Sequence, residues 1–313
     1  MSTFGNFAFK QEYEHIAELG DRLGEVEKYI DWEIFRAILE SLYSNNEGKG
    51  GHPNIDVVVM MKMNILQQWY GLSDAEAERQ ANDRISFRKF LGYPQKIPDR
   101  ATIWLFRDRL AKSGKDEQIW ELLQEQLDKK GMKIQKGVIQ DATFIHAEPG
   151  HATVDTPRGG EAKTRRSKDG TWVKKAGKSH FGYKLHILID RDYDFIRRIL
   201  TTTASVHDSQ VDLSKEGEVV YRDRGYQGAE CRGYNATMKR GARDHPIGIK
   251  DKIRNLRISR KRSRGERPFA VIKNIFNSGT VRVTEIERVR VKNTFSAFCY
   301  NLLQLRTIEK QRS

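Results

Sequence analysis

The stretch Lys178-Ser179-His180-Phe181-Gly182-Tyr183-Lys184-Leu185-His186-Ile187-Leu188-Ile189 decides how the second half of this 313-residue chain is read. Phe181, Tyr183, Leu185, Ile187 and Ile189 alternate with His180, Gly182, Lys184 and His186. A period of two sends the two sets to opposite faces of a pleated strand. Residues 190–194 read as a turn and 195–203 as the return strand. Upstream, 134–139 is a strand leading into Asp141. Downstream, 218–221 is a strand ending near Asp223. A short helix capped by Asp208, a strand at 247–249, and helices around 262–277 and 293–310 complete the series. This is the order of a ribonuclease H-like α/β core, a mixed five-stranded sheet with flanking helices.

The first 130 residues carry a helical pattern instead. Leu23, Val26, Ile30, Ile34, Ile38 and Leu42 recur at helical spacing, and 55–70 is almost wholly apolar. Ser73-Asp74-Ala75-Glu76 is a capping box: the hydroxyl satisfies an amide three residues on while the glutamate reaches back. Asp99 caps a helix over 100–112, and 116–130 is a last amphipathic helix closed by Gly131. The chain is therefore divided into an all-α, helix-turn-helix-like domain over 1–131 and an α/β domain over 132–313. Arg100, Arg107 and Arg109 are placed to meet phosphates if the helical domain reads DNA; a structural or dimerising role is the other reading.

Charge separates the two halves. Residues 1–130 hold 18 Lys/Arg against 22 Asp/Glu, while the remainder holds 38 against 20, within a net charge of +14. A surplus gathered in one half points to a polyanionic partner. Cys231 and Cys299 fit no metal-ligand spacing and are expected as reduced thiols. No secretory leader and no apolar run near the roughly 20 residues of a membrane helix is apparent, so a cytoplasmic protein is expected.

Three acids stand out in the basic half. Asp141 and Asp223 each close an apolar run that reads as a strand. Glu266 is one of two acids among nine Lys/Arg in 250–267. Two divalent ions held by such carboxylates activate a water or a 3′ hydroxyl and relieve charge on a departing oxygen, the requirements of phosphodiester cleavage. Singly, an acid at a strand end is a turn former or cap, and Glu266 is a salt-bridge partner for Arg262 or Lys273. Together they suggest metal-assisted cutting of nucleic acid. On an ideal helix Arg262, Glu266 and Lys273 share one stripe, although Pro268 disturbs it.

The motifs Pro98-Asp99-Arg100-Ala101-Thr102-Ile103-Trp104, Asp141-Ala142-Thr143, 178–186 and Asp223-Arg224-Gly225-Tyr226 resemble those of DDE-type transposases of bacterial insertion sequences, the insertion-sequence-five-like group. Related families carry a Tyr-Arg-Glu-Lys signature whose spacing Arg262, Glu266 and Lys273 match; Ser259 stands at the tyrosine position. The resemblance implies that Asp141, Asp223 and Glu266 bind two Mg²⁺ ions, with Mn²⁺ able to substitute, and that Arg262 and Lys273 hold phosphates. It implies cleavage at element ends and strand transfer into target DNA. The implied partners are double-stranded DNA, as terminal inverted repeats and target, and a second copy in a homodimer.

Residues 147–179 form a basic insert, with eight Lys/Arg and two acids in 158–178. It reads as a solvated loop or as a clamp on DNA through Lys174, Lys175 and Lys178, joined by Lys184 on the strand face. Trp172 stacks on a base or anchors the loop. His180 and His186 are expected to face DNA or solvent, and no histidine spacing supports a closed zinc site. Asp208 rivals Asp223 as second catalytic acid but sits at a helix start, where capping explains it. Alternative functions are a non-catalytic DNA-binding derivative and a ribonuclease H-like nuclease without strand transfer.

Overall fold

The computed structural model describes residues 13–44, 53–150, 167–175, 177–242 and 245–312. The chain forms two compact units: Met1–Lys129 with Thr294–Ser313, and Lys130–Asn293.

The first unit is helical, and its helices begin where the sequence supplies a cap. Asp56 Oδ1 accepts from Val58 N (2.8 Å) at the start of Val57–Tyr70. Ser73 Oγ accepts from Glu76 N (3.2 Å) before Asp74–Asp83. Asp99 Oδ1 accepts from Thr102 N (2.7 Å) before Arg100–Ser113. Each bond satisfies an amide that the first turn leaves open. The helix expected over 21–43 is broken into Arg22–Glu27, a 3₁₀ turn at Glu33–Phe35, and Arg36–Glu40. Asp31 Oδ1 takes the Glu33 amide at 3.0 Å, and the turn sends Trp32 and Phe35 inward. Trp32 meets Phe90 edge-on at 5.6 Å, and Phe35 meets Phe298 at 5.8 Å. Core packing overrides local helical spacing here. Phe298 belongs to the last helix, Ile286–Arg312, whose Lys310 and Arg306 pair with Glu25. That helix therefore divides at residue 294, whereas a sequence boundary at 131/132 assigns it wholly to the strands.

The second unit is a seven-stranded mixed sheet built from β1 (Val138–Ala147), β2 (Thr171–Lys175), β3 (Lys178–Asp190), β4 (Ile196–Thr203), β5 (Val219–Arg222), β6 (Tyr234–Thr237) and β7 (Thr280–Val281). The order is β2-β3-β1-β5-β6, with β4 on β3 and β7 on β1. β3 is antiparallel to β1 and β4; β5 is parallel to β1 and β6.

Seven strands replace the five expected. β2 comes from the end of the basic insert, where Trp172 lies opposite Phe181, 5.3 Å between rings. The run at 247–249 is no strand: Pro246 and Gly248 cut it short, and Gly248 caps the helix Ile249–Arg262. Between β4 and β5 there is only a 3₁₀ turn, Asp208–Gln210, capped by the His207 ring rather than by Asp208.

β1 and β3 are paired from Val138 to His146, and at the far end of that ladder Gly182 makes a close approach possible. Its φ is +152°, and a Cβ there would stand 2.2 Å from the Ile145 carbonyl oxygen. Only glycine accommodates both.

Candidate active site

The geometry of the site follows from one register. Parallel β1 and β5 pair Val138 with Val220 and Ile139 with Tyr221. The next pair at the same offset is Gln140 and Arg222. Their buried side chains meet, with Arg222 Nη2 donating to Gln140 Oε1 at 2.8 Å. The ladder itself ends at Ile139 and Tyr221; two residues further along each chain stand Asp141 and Asp223, near enough for the Asp223 charge to act on Asp141. Alternation puts both on the face where Ile139 and Tyr221 pack against Ile258.

Asp141 is not at the end of its strand, as the apolar run suggested; β1 continues to Ala147 because β3 pairs with it to His146. It stands instead where the ladder to β5 ends, since β5 stops at Arg222. Asp223 remains extended (φ −78°, ψ −177°), and its Oδ1 accepts from Gly225 N at 2.8 Å, capping the turn Arg224–Tyr226.

The Gln140–Arg222 contact belongs to a buried network on the opposite face. Gln140 Nε2 donates to Val211 O (2.6 Å), Arg222 Nη1 to Glu230 O (2.7 Å), and Arg222 also pairs with Asp212. Sequence reasoning passed over both residues. Their signal was a polar side chain just before each acid, at an inward position of an apolar strand.

The helix Ile249–Arg262 lies over the acidic face. Ile258 packs on Ile139 and Tyr221, and Asn255 clasps the Lys239 backbone through its amide (2.8 Å) and carbonyl (2.9 Å). At its end Arg262 Nη2 donates to Asp141 Oδ2 at 2.9 Å, and Ala142 N donates to Oδ1 at 2.8 Å. Burial pushes the Asp141 carboxyl above the usual carboxylate range; Arg262 opposes this, and the Asp223 charge adds to it. A half-buried carboxylate near a second carboxylate is a place where a hard cation is stabilised, so the aspartate pair fits a divalent ion.

Glu266 is less closely placed. After a 3₁₀ turn, Ser263–Gly265, the helix restarts as Glu266–Ala270, so Pro268 falls in a first turn where its missing amide matters little. A Cβ on Gly265 would be 3.0 Å from Ile139 Cγ2, so the chain passes close over β1 here. The Glu266 side chain is exposed, with no hydrogen bond or ion pair among the described residues. No group of three or more His, Cys, Asp or Glu among the described residues is set to hold a metal ion. The chain then winds as a π-helix, Val271–Ile275, with Phe276 N bonding to Val271 O at 3.1 Å. The single stripe expected for Arg262, Glu266 and Lys273 is thus not continuous. Lys273 lies against Gly279, near His146 at the far end of β1.

The other candidates separate cleanly. Lys174 and Lys178 are exposed on β2 and β3. The Lys175 side chain and residues 151–166 of the proposed clamp lie outside the described residues. Lys184 is turned inward: its Nζ donates to Val206 O (2.6 Å) and pairs with Asp208 (2.9 Å), which fits it poorly for a DNA phosphate.

His186 is fully buried rather than facing DNA or solvent, because the segment after β4, at Val206 and Asp208, closes over that side of β3; its Nε2 lies 2.9 Å from Thr202 Oγ1 of the neighbouring strand. Burial drives its pKa down to about 4, so it stays neutral in the folded chain. Unfolded, it protonates near 6.5. The unfolded state therefore binds the extra proton as pH falls from about 6.5 to about 4, and folding free energy drops by roughly 3 kcal/mol over that window. Urea unfolding followed from pH 7 to pH 4 should show a shallower acid limb in His186→Gln than in the parent; equal slopes would refute this.

Tyr226 was quoted only as part of a motif. It is buried, its ring centroid is 5.5 Å from Arg222 Cζ, and its hydroxyl has no partner among the described residues. Burial, then the charges of Asp208, Asp141 and Asp223, raise its pKa far above the usual phenol value.

Two family models match the chain. Residues 11–109 match the transposase domain (DUF772), and residues 133–302 match the transposase DDE domain. No solved structure matches. The second match covers more than half of the chain and spans β1, β5 and the two helices that carry Arg262 and Glu266: the chain belongs to the DDE transposase family.

Proposed function

We propose that this transposase cuts DNA strands at element ends and joins them to target DNA, with Asp141, Asp223 and Glu266 holding two divalent cations, Mg²⁺ or in its place Mn²⁺. The observation that carries this reading is that Asp141 and Asp223 each follow the paired Ile139 and Tyr221 by two residues, with Asp141 held by Arg262. When bound, the ions lower the pKa of a water or 3′ hydroxyl and offset charge on the departing oxygen. The chain's own part is positional. β1 and β5 hold the two aspartates near each other, the Gln140–Arg222 bond fixes them there, and Glu266 approaches from an exposed, unpaired position.

A β4-β3-β1-β5-β6 path, antiparallel through its first three strands and parallel through its last three, supports a ribonuclease H-like sheet. Double-stranded DNA, as terminal inverted repeat and target, lies along Arg262, Lys273, Lys174 and Lys178, with two copies of the chain in the working complex. Among the described residues no helix is long and apolar enough to cross a membrane.

Purified protein, labelled element ends and a target plasmid test this. Nicking and joining are expected with Mg²⁺, and binding alone with Ca²⁺. Glu266→Gln should keep binding and lose cleavage; full cleavage by that variant removes Glu266 from the set. Nicking without joining would favour a plain nuclease. Binding should weaken steeply with salt as phosphate contacts release counterions.

A further inference from the structure

Every oxygen of Asp141 already has a donor. Oδ1 takes the Ala142 amide at 2.8 Å, and Oδ2 takes Arg262 Nη2 at 2.9 Å. The guanidinium thus stands where a divalent ion would meet that carboxylate. We propose that Arg262 is a positioning residue that keeps Asp141 closed to the cation until a DNA phosphate takes the guanidinium away, so that DNA binds before the metal. This rests on the metal-site reading of Asp141 and Asp223 above.

The Arg262 side chain is held, but only in part. Its Nη1 has only the Met238 sulfur at 3.9 Å, and its Nε has no partner among the described residues. One N–H to one carboxylate oxygen uses a fraction of a fork built for two parallel bonds. A phosphate offers two oxygens to that fork, and so outcompetes the present contact wherever it can reach. Access is available, since the side chain retains 16% exposure. Neighbouring charge directs the approach: Arg260 and Lys261 precede it in the chain and are exposed, Lys261 donating to Tyr221 Oη, while Arg264 is paired with Asp194. A polyanion drawn to this helix end meets Arg262 as its next cation.

The two arrangements exclude each other on charge grounds. With Arg262 on Asp141, an incoming divalent ion is repelled by a cation a few ångströms away, and the carboxylate oxygen that Ala142 N leaves is taken by the guanidinium. With Arg262 withdrawn, Asp141 loses its paired cation and stands near the like charge of Asp223, the arrangement that attracts a divalent ion more strongly. The order of binding then keeps the cutting centre unassembled in protein that carries no DNA.

Mn²⁺ binding to the purified full chain, read from the electron paramagnetic resonance of unbound Mn²⁺ at pH 8, tests this without any activity assay. Without DNA, Arg262→Met should bind Mn²⁺ about tenfold tighter than the parent. Duplex DNA, corrected for Mn²⁺ bound by the duplex alone, should tighten the parent by a similar factor and leave Arg262→Met nearly unchanged. Thermal melting checks that the variant is folded; Arg262→Gln, which removes the charge but keeps a polar end, replaces it if not. Equal Mn²⁺ affinity of parent and variant without DNA, with both losing it on Asp141→Asn, overturns the latch alone. If Arg262→Met keeps its Mn²⁺ when Asp141→Asn is added, the ion is not at Asp141 and the metal-site reading fails instead.

Discussion

Asp141→Asn and Asp223→Asn should each lower strand cleavage about a thousandfold or more while DNA binding persists. A metal-held centre contributes several kcal/mol to the transition state, and each 1.4 kcal/mol is about tenfold in rate. The amide oxygen that replaces the carboxylate is a poor ligand for a hard cation. Both substitutions are gentle on the fold. At 223 the side-chain oxygen that accepts the Gly225 amide is retained. At 141 the acceptor for Ala142 N survives, but Arg262 loses its counter-charge, so this variant should be the less stable of the two. Denaturing gels of labelled ends read cleavage, and gel shifts read binding. Cleavage at the parental rate by either variant removes that residue from the site.

The largest effect on stability is expected from Gly182→Ala. The new methyl would lie 2.2 Å from Ile145 O and 2.9 Å from Ala147 N, both backbone atoms of β1 that no rotamer change can move. The φ of +152° adds strain for any residue with a Cβ. Together these should cost about 4 kcal/mol or more, enough to reduce soluble yield as well as melting temperature. Gly217→Ala is the control. Its φ is +84° but nothing lies within 4 Å, so only the conformational term, about 1 kcal/mol, applies. If Gly182→Ala melts no lower than that control, the close approach of β3 to β1 is not as described.

Period and caps made much of this fold legible before any coordinates. The alternation in 178–189 gives β3, and Ser73 and Asp99 mark helix starts at which their side chains do accept amides. The failures have a common cause. Whether Asp141 ends a strand depends on how far β3 and β5 extend beside it, and the run of residues does not carry that. His186 was read as outward because alternation assigns sides without saying which are covered; here both faces of β3 are. Lys184 looked like a DNA contact until its distant partner Asp208 was placed. The stripe of Arg262, Glu266 and Lys273 assumed one regular helix, which a 3₁₀ turn and a π-helix interrupt.

The bond between Gln140 and Arg222 reaches beyond the strands it joins. Because the neighbours Asp141 and Asp223 are held by a clasp one residue away, whose partners Val211 and Asp212 follow β4, the sequence between β1 and β2 has no say in where they end up. That stretch can grow, shrink or be exchanged while β3, Val211 and Asp212 keep the two acids at station. A one-residue slip within β5 is the opposite case: it would turn Asp223 to the wrong side of the sheet and break the clasp at the same stroke. Variation should therefore be tolerated in the loops and punished in the short strand.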